Sequence, residues 1–177
     1  KWEDAPEREW VGFFDYNALG RYVDIAAIMT YEWGYRSGPP SPTAPIPFIK
    51  RVLDYAISQN IPSNNIMMGM TLYGYDWALP YNPANLANTV SLPNVWDLGR
   101  KYNAPILFDS EVAQPHMNYT NENGIRHEVW FEDALSHYYK YLLVQQYNLR
   151  GVFYWTINLP LTATWYILSN IYTIKKL

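Results

Sequence analysis

Three short segments read as almost unbroken apolar runs, and they constrain the fold of this chain more than anything else in it. They are Ile25-Ala26-Ala27-Ile28-Met29-Thr30-Tyr31, Ile66-Met67-Met68-Gly69-Met70-Thr71-Leu72-Tyr73 and Gly151-Val152-Phe153-Tyr154-Trp155. A strand with one wet face alternates apolar and polar residues, whereas a continuous apolar run of this length belongs to a strand covered on both faces, as in a parallel sheet under helices. Helical patterns lie between the runs. Ile46, Ile49, Leu53, Ala56 and Ile57 recur at spacings of mostly three and four behind Pro45 and Pro47, which predicts a helix ending near Asn60. A second helix is expected over about 132–147 with Leu135, Tyr138 and Leu142 on one face, and a last one from about Ala163 carrying Ile167, Ile171 and Ile174. The order strand, helix, strand, insertion, helix, strand, helix predicts an α/β fold with three parallel strands side by side through right-handed crossovers.

The insertion is read over residues 76–130. A helix near 92–102 precedes strand candidates at 105–109, 116–120 and 126–131, and Asn121-Glu122-Asn123-Gly124 makes a hairpin turn between the last two. The expected organisation is therefore a barrel part over 1–75, a small α+β module over 76–130 and a second barrel part over 131–177. Three βα units fall short of the eight in a closed (β/α)8 barrel of typically about 250 residues, and a three-stranded parallel sheet leaves both edges unpaired. The remaining strands are expected to come from preceding polypeptide, and the isolated chain is expected to be poorly soluble.

Bulk properties narrow the function classes. The net charge of −3 and the lack of any sizeable basic cluster argue against nucleic acid, whose binding requires phosphate neutralisation. No apolar run approaches the ~20 residues that span a bilayer, and no signal peptide is visible at Lys1. There are no cysteines, and His116, His127 and His137 lack ligand spacing, so neither a metal nor another cofactor is expected. The outstanding feature is 17 Tyr, 8 Trp and 6 Phe. Tyr and Trp pair a flat apolar face with a polar edge, which suits a sugar ring.

In α/β barrels the working residues sit at the C-terminal strand ends. Those ends carry Met29, Tyr31, Glu32 and Trp33 after the first strand, Tyr73, Tyr75, Asp76 and Trp77 after the second, and Trp155 and Asn158 after the third. Such a rim of rings and carboxylates suits a carbohydrate cleft. Trp2 and Trp10 are further candidates for its lining. Trp130 is read as core of the insertion.

At these residues the chain resembles family 18 glycoside hydrolases. Met29-Thr30-Tyr31-Glu32 resembles the Met-x-Tyr-Asp/Glu motif that ends strand six of that family. Met70-Thr71-Leu72-Tyr73-Gly74 resembles its strand seven, and Gly151-Val152-Phe153-Tyr154-Trp155 its strand eight. Tyr31-Glu32-Trp33-Gly34, Leu72-Tyr73-Gly74-Tyr75-Asp76-Trp77 and His127-Glu128-Val129-Trp130-Phe131-Glu132-Asp133 narrow the resemblance to the bacterial spore-cortex-lytic and spore-coat branch.

The resemblance implies the C-terminal part, strands six to eight, of a TIM barrel with its insertion between strands seven and eight. It implies retaining, substrate-assisted hydrolysis of an N-acetylglucosamine-containing glycan outside the cell, at the cell wall or spore surface. Tyr31 would hold the substrate's acetamido group, Glu32 would bond the sugar or orient its neighbours, and the Trp155 ring would pack beneath the sugar. Met29, Trp33, Tyr73 and Tyr75 would complete the binding wall, Tyr75 standing where many chitinases have Arg.

The proton-donor Glu of the family ends an Asp-x-x-Asp-x-Asp-x-Glu motif on strand four, which this chain lacks. The fragment Phe108-Asp109-Ser110-Glu111 comes nearest but falls in the insertion. Two other readings stand beside hydrolysis: a non-catalytic, lectin-like relative, and a truncated product with no independent function.

Overall fold

The computed structural model describes residues 1–4, 11–156, 158–159 and 162–173. Two sheets organise them. The first is parallel and three-stranded, in the order β1 (Ala26–Ile28), β2 (Ile66–Thr71) and β8 (Gly151–Trp155). Its register pairs Ala26 with Ile66 and Met67 with Gly151. The second is antiparallel and five-stranded, comprising β3 (Tyr73–Leu79), β4 (Asn88–Ser91), β5 (Leu107–Asp109), β6 (Gln114–Thr120) and β7 (Arg126–Trp130) in the order β4-β3-β7-β6-β5. The helices are α1 (Tyr16–Leu19), α2 (Ile46–Ser58), α3 (Leu92–Tyr102), α4 (Ala134–Gln146) and α5 (Thr162–Ile171).

Each element has a local cause. Asp15 caps α1 by accepting from the Ala18 amide at 2.9 Å. Pro47 sits in the first turn of α2, where its missing N–H costs nothing. That helix buries Phe48, Ile49, Val52, Leu53 and Ala56 against Ile66, Met68 and Met70 of β2, the apolar stripe read from sequence. Ser91 opens α3 and Asn103 closes it in the left-handed conformation. Ile167 and Ile171 of α5 pack on the parallel-sheet core, while Ile174 lies outside the described residues. Among the described residues, no helix is long and apolar enough to cross a membrane.

Three expectations need correction. The second apolar run does not continue as one strand through Tyr73: β2 stops at Thr71, and Tyr73 opens β3 in the other sheet. The antiparallel module thus starts at Tyr73, and it contains two strands, β3 and β4, not foreseen from sequence. Asp76 and Trp77 accordingly leave the rim. Asp76 is buried behind the module sheet, accepting from the Tyr119 hydroxyl at 2.7 Å and facing His127 Nδ1 at 2.8 Å. Trp77 is fully buried on the sheet's other side and donates to the Gly38 carbonyl at 2.8 Å.

Helix α4 does not bury the apolar face read from sequence. Leu135, Tyr138 and Leu142 are exposed, and the buried face carries Ser136, His137, Lys140, Tyr141, Leu143 and Val144. The polar members tolerate burial because all are partnered. Glu132 accepts from Lys140 Nζ at 2.8 Å and Ser136 Oγ at 2.5 Å, and from Gln114 Nε2 at 3.0 Å. His137 sits between the Thr71 carbonyl at 2.9 Å and Thr164 Oγ1 at 2.8 Å. This network joins the module, the strand end of β2 and both C-terminal helices.

It also sets an acid limit on stability. Burial, reinforced by Lys140, lowers the His137 imidazole to about 3, from an ordinary 6.5. The unfolded chain therefore takes up a proton below pH 6.5 that the folded chain refuses. Its stabilising contribution is complete above pH 6.5 and falls by up to about 1.4 kcal/mol per pH unit towards pH 3. Glu132, raised by burial, opposes this trend in the acid range. Comparison with His137→Gln isolates the histidine: melting temperature followed from pH 7 to pH 4 should fall more steeply in the parent than in the variant. Equal slopes would remove His137 as the cause.

Candidate active site

The site forms where β1, β2 and β8 end and the module begins. Tyr31 follows β1 by three residues, and its ring crosses the sheet above Gly69. A Cβ on Gly69 would lie 2.7 Å from Tyr31 Cε1 and 2.8 Å from Phe153 Cζ, so only glycine leaves room for the ring. Thr30 secures the approach by donating to the Gly69 carbonyl at 2.7 Å. Tyr31 is only 8% exposed and lines an open cleft, and its hydroxyl makes no hydrogen bond to another described residue. Gly69→Ala is expected to push the Tyr31 ring out of place and destabilise the fold by about 1–3 kcal/mol, as overpacking does. Denaturant unfolding and near-ultraviolet circular dichroism of the tyrosines would measure both effects.

Glu32 stands next, at φ 66°, a left-handed conformation uncommon for a residue with a side chain. Its Oε1 accepts from the hydroxyls of Tyr73 and Tyr75, the latter at 2.8 Å. These rings meet edge to face at 5.4 Å on β3. Burial first, and then the hydrogen bond to Glu32, raises both phenols well above their ordinary value, so both remain donors at any working pH. Burial, and secondarily Glu32, also raises Tyr31.

Across the floor, Thr71 pairs with Trp155, and the Leu72 amide donates to the Trp155 carbonyl at 3.0 Å. The Trp155 ring is 59% exposed and the peptide bond to Thr156 is cis. Met29, 64% exposed, lines the same cleft.

The resulting cleft of about 460 Å³ is lined by Met29, Tyr31, Glu32, Tyr73, Tyr75 and Trp155, joined by Thr89, Thr156 and Leu159. It brings together six of the seven residues to which the resemblance gave a role, Trp33 being the exception. The left-handed turn at Glu32 sends Trp33 away from the cleft, and its ring packs 5.2 Å from Phe48 and 6.1 Å from Trp2. Trp2 belongs to that second cluster as well, under Arg51, and Trp10 lies outside the described residues. Asn158 is exposed and lies outside the cleft lining. Trp130 sits in the core with Tyr73, Tyr75 and Trp77.

Asp109 does not enter the cleft: its carboxylate caps a turn, accepting from the Glu111 and Val112 amides at 2.8 and 3.2 Å. Thr89, on the edge strand β4, was missed because its strand was. Among the described residues no group of His, Asp or Glu is arranged to hold a metal ion.

The model of the family described as "Glycosyl hydrolases family 18" matches residues 4–159. The chain belongs to that family. This family 18 chain is 46% identical over 163 residues to the cortical fragment-lytic enzyme of Bacillus anthracis, covering 92% of the chain and 38% of that protein. It is 41% identical over 168 residues to the cortical fragment-lytic enzyme of Bacillus subtilis, covering 94% and 39%. Among solved structures, it superimposes on the Bacillus cereus spore cortex-lytic enzyme SleL with a TM-score of 0.89 at 47% identity, over 92% of the chain and 38% of that structure. The chain thus spans well under half the length of these relatives.

Proposed function

We propose that the chain supplies strands six to eight and the inserted module of a (β/α)8 barrel glycosidase. The barrel cleaves β-1,4 bonds at N-acetylated amino sugars in peptidoglycan, and acts at the spore or cell wall. The observation that carries this reading is the cleft shared by Tyr31, whose hydroxyl is unpartnered among the described residues, the Glu32 carboxylate and the exposed Trp155 ring. The cortex-lytic activity named for the relatives supports the substrate class.

In this reading the sugar in the cleft packs its apolar face on Trp155 and Met29. Its own 2-acetamido oxygen attacks the anomeric carbon while an acid outside this chain protonates the leaving oxygen. Tyr31 donates to the acetamido group and holds it for attack, a positioning role. Glu32, fixed by Tyr73 and Tyr75, accepts from a sugar hydroxyl. Parallel strands β1, β2 and β8 then continue a barrel whose first five strands come from preceding polypeptide, which pairs the open edge of β1.

The test joins this chain to the segment of the Bacillus anthracis relative that precedes the matched region. The assembled protein is then incubated with spore peptidoglycan and with N-acetylglucosamine oligomers. Release of new reducing ends with retained configuration is the expected result. Oligomer binding without product would establish the lectin-like reading instead, and neither binding nor product would defeat both.

A further inference from the structure

Glu32 is held at two ends, and only one of them is visible in the cleft. Its carboxylate is fixed by Tyr73 and Tyr75, but its backbone sits in a left-handed conformation that costs an L-residue roughly 1–2 kcal/mol. Something must hold the chain there. The residues after it form a tight loop: the Trp33 amide donates to the Thr43 carbonyl at 3.0 Å and the Gly34 amide to the Pro42 carbonyl at 2.8 Å. The strands of that loop are so close that a Cβ on Gly34 would lie 2.2 Å from the Ser41 carbonyl oxygen.

Thr43 and Ala44, on the returning side, are fully buried and meet one side chain, that of Gln114 on β6. The Ala44 amide donates to Gln114 Oε1 at 2.8 Å, and Gln114 Nε2 donates to Thr43 Oγ1 at 2.9 Å. An N–H can only donate, so the Ala44 contact fixes which end of the amide is oxygen. The same Nε2 is within reach of the Phe131 carbonyl at 3.1 Å and Glu132 Oε1 at 3.0 Å, tying Gln114 to the buried network under α4.

We propose that Gln114 is a positioning residue for Glu32. It clamps Thr43 and Ala44, which hold the Trp33 amide, which in turn keeps Glu32 turned into the cleft. The inserted module thereby sets Glu32 twice, through the Tyr73 and Tyr75 hydroxyls on its first strand and through Gln114 on its fourth. Gln114 touches no part of the cleft itself. This assignment rests on the glycosidase reading.

The experiment measures kcat and KM on N-acetylglucosamine oligomers in the complete barrel for Gln114→Met, Glu32→Ala and the double variant, with Thr43→Val and Thr43→Ser alongside. Gln114→Met should lower kcat about tenfold, within the range that a displacement near 1 Å produces. In the Glu32→Ala background the same change should alter kcat by less than about twofold, the non-additivity expected of residues acting through one another. Thr43→Val, which removes only the hydroxyl, should lower kcat in the same direction, and Thr43→Ser should restore it.

An equal loss from Gln114→Met with Glu32 present or absent would reduce Gln114 to a structural residue and overturn the proposal. If Gln114→Met does not fold, Thr43→Val decides: unchanged kcat in that folded variant overturns it. Unchanged turnover in Glu32→Ala would instead overturn the role given to Glu32, and the proposal with it.

Discussion

Tyr31→Phe in the complete barrel is expected to lower kcat by about 10²–10³-fold while KM shifts by less than about threefold, the pattern of an interaction made mainly in the transition state. The substitution is a clean one. The ring is what packs beside Gly69 and Phe153, and phenylalanine keeps the ring. The hydroxyl has no hydrogen-bond partner among the described residues, so its removal leaves no buried group stranded. Folding stability should therefore change by no more than about 0.5–1 kcal/mol.

On the proposed reading, what is lost is a donor held by its packed ring before substrate arrives, in a cleft it shares with Glu32 and Trp155. Burial raises the Tyr31 phenol above its ordinary value, and the Glu32 carboxylate adds to the shift. The group is therefore a donor across the neutral range, and the defect should be independent of pH between about pH 5 and pH 8. Steady-state kinetics on N-acetylglucosamine oligomers, with thermal unfolding as the control for folding, would measure it. A rise in KM with kcat intact would make Tyr31 a binding residue only, and unchanged kinetics would remove it from the site.

The parts of this architecture legible in sequence are those whose cause is local. A strand covered on both faces reads as an apolar run whatever surrounds it, so β1, β2 and β8 were visible, and with them Tyr31, Glu32 and Trp155 at their ends. The Ile46–Ser58 helix followed from its stripe and its early proline. The same rule misled at Tyr73. An apolar run crossing from one sheet into another looks like one long strand, because the residues at the junction are buried on both sides of it.

Trp33 failed for a conformational reason. Side-chain direction was inferred from its place in the motif, but the left-handed backbone at Glu32 reverses that direction, and such a turn at a glutamate has no sequence signal. The face of α4 and the role of Gln114 were hidden for a third reason. Burying His137, Glu132 and Gln114 relies in part on partners 18 to 71 positions away, such as Gln114 for Glu132 and Thr43 for Gln114, and Lys140 in turn relies on Glu132. No local pattern encodes them.

Lys140 is where dependence on a buried partner should be most costly. Its side chain is almost entirely enclosed, and its ammonium meets Glu132 at 2.8 Å in a site that also excludes water from the carboxylate. Two charges in such a place stabilise the fold only as a pair. Lys140→Met keeps much of the side chain's apolar volume but leaves Glu132 as an uncompensated buried anion, which typically costs about 3–5 kcal/mol. For a domain of about this size each kcal/mol lowers the melting temperature by about 2–4 °C, so a fall of 6 °C or more is expected.

Burial already pushes the Glu132 carboxyl upward, and Lys140 is the largest influence holding it down. Without the lysine the carboxyl should bind a proton well above its ordinary range, and the variant's stability should recover as pH is lowered from 7 towards 5. Glu132→Gln combined with Lys140→Met removes both charges while keeping an acceptor for Ser136 and a partner for Gln114. It should restore at least half of the loss, since a neutral pair carries no desolvation penalty of ions. Denaturant unfolding of the three proteins at pH 7 and pH 5 decides the matter. A Lys140→Met protein within about 1 kcal/mol of the parent at pH 7 would mean that Glu132 is already protonated there, and the buried ion pair would be abandoned. A double variant no better than the single would shift the cause from charge to the packing of the lysine stem beside Tyr141.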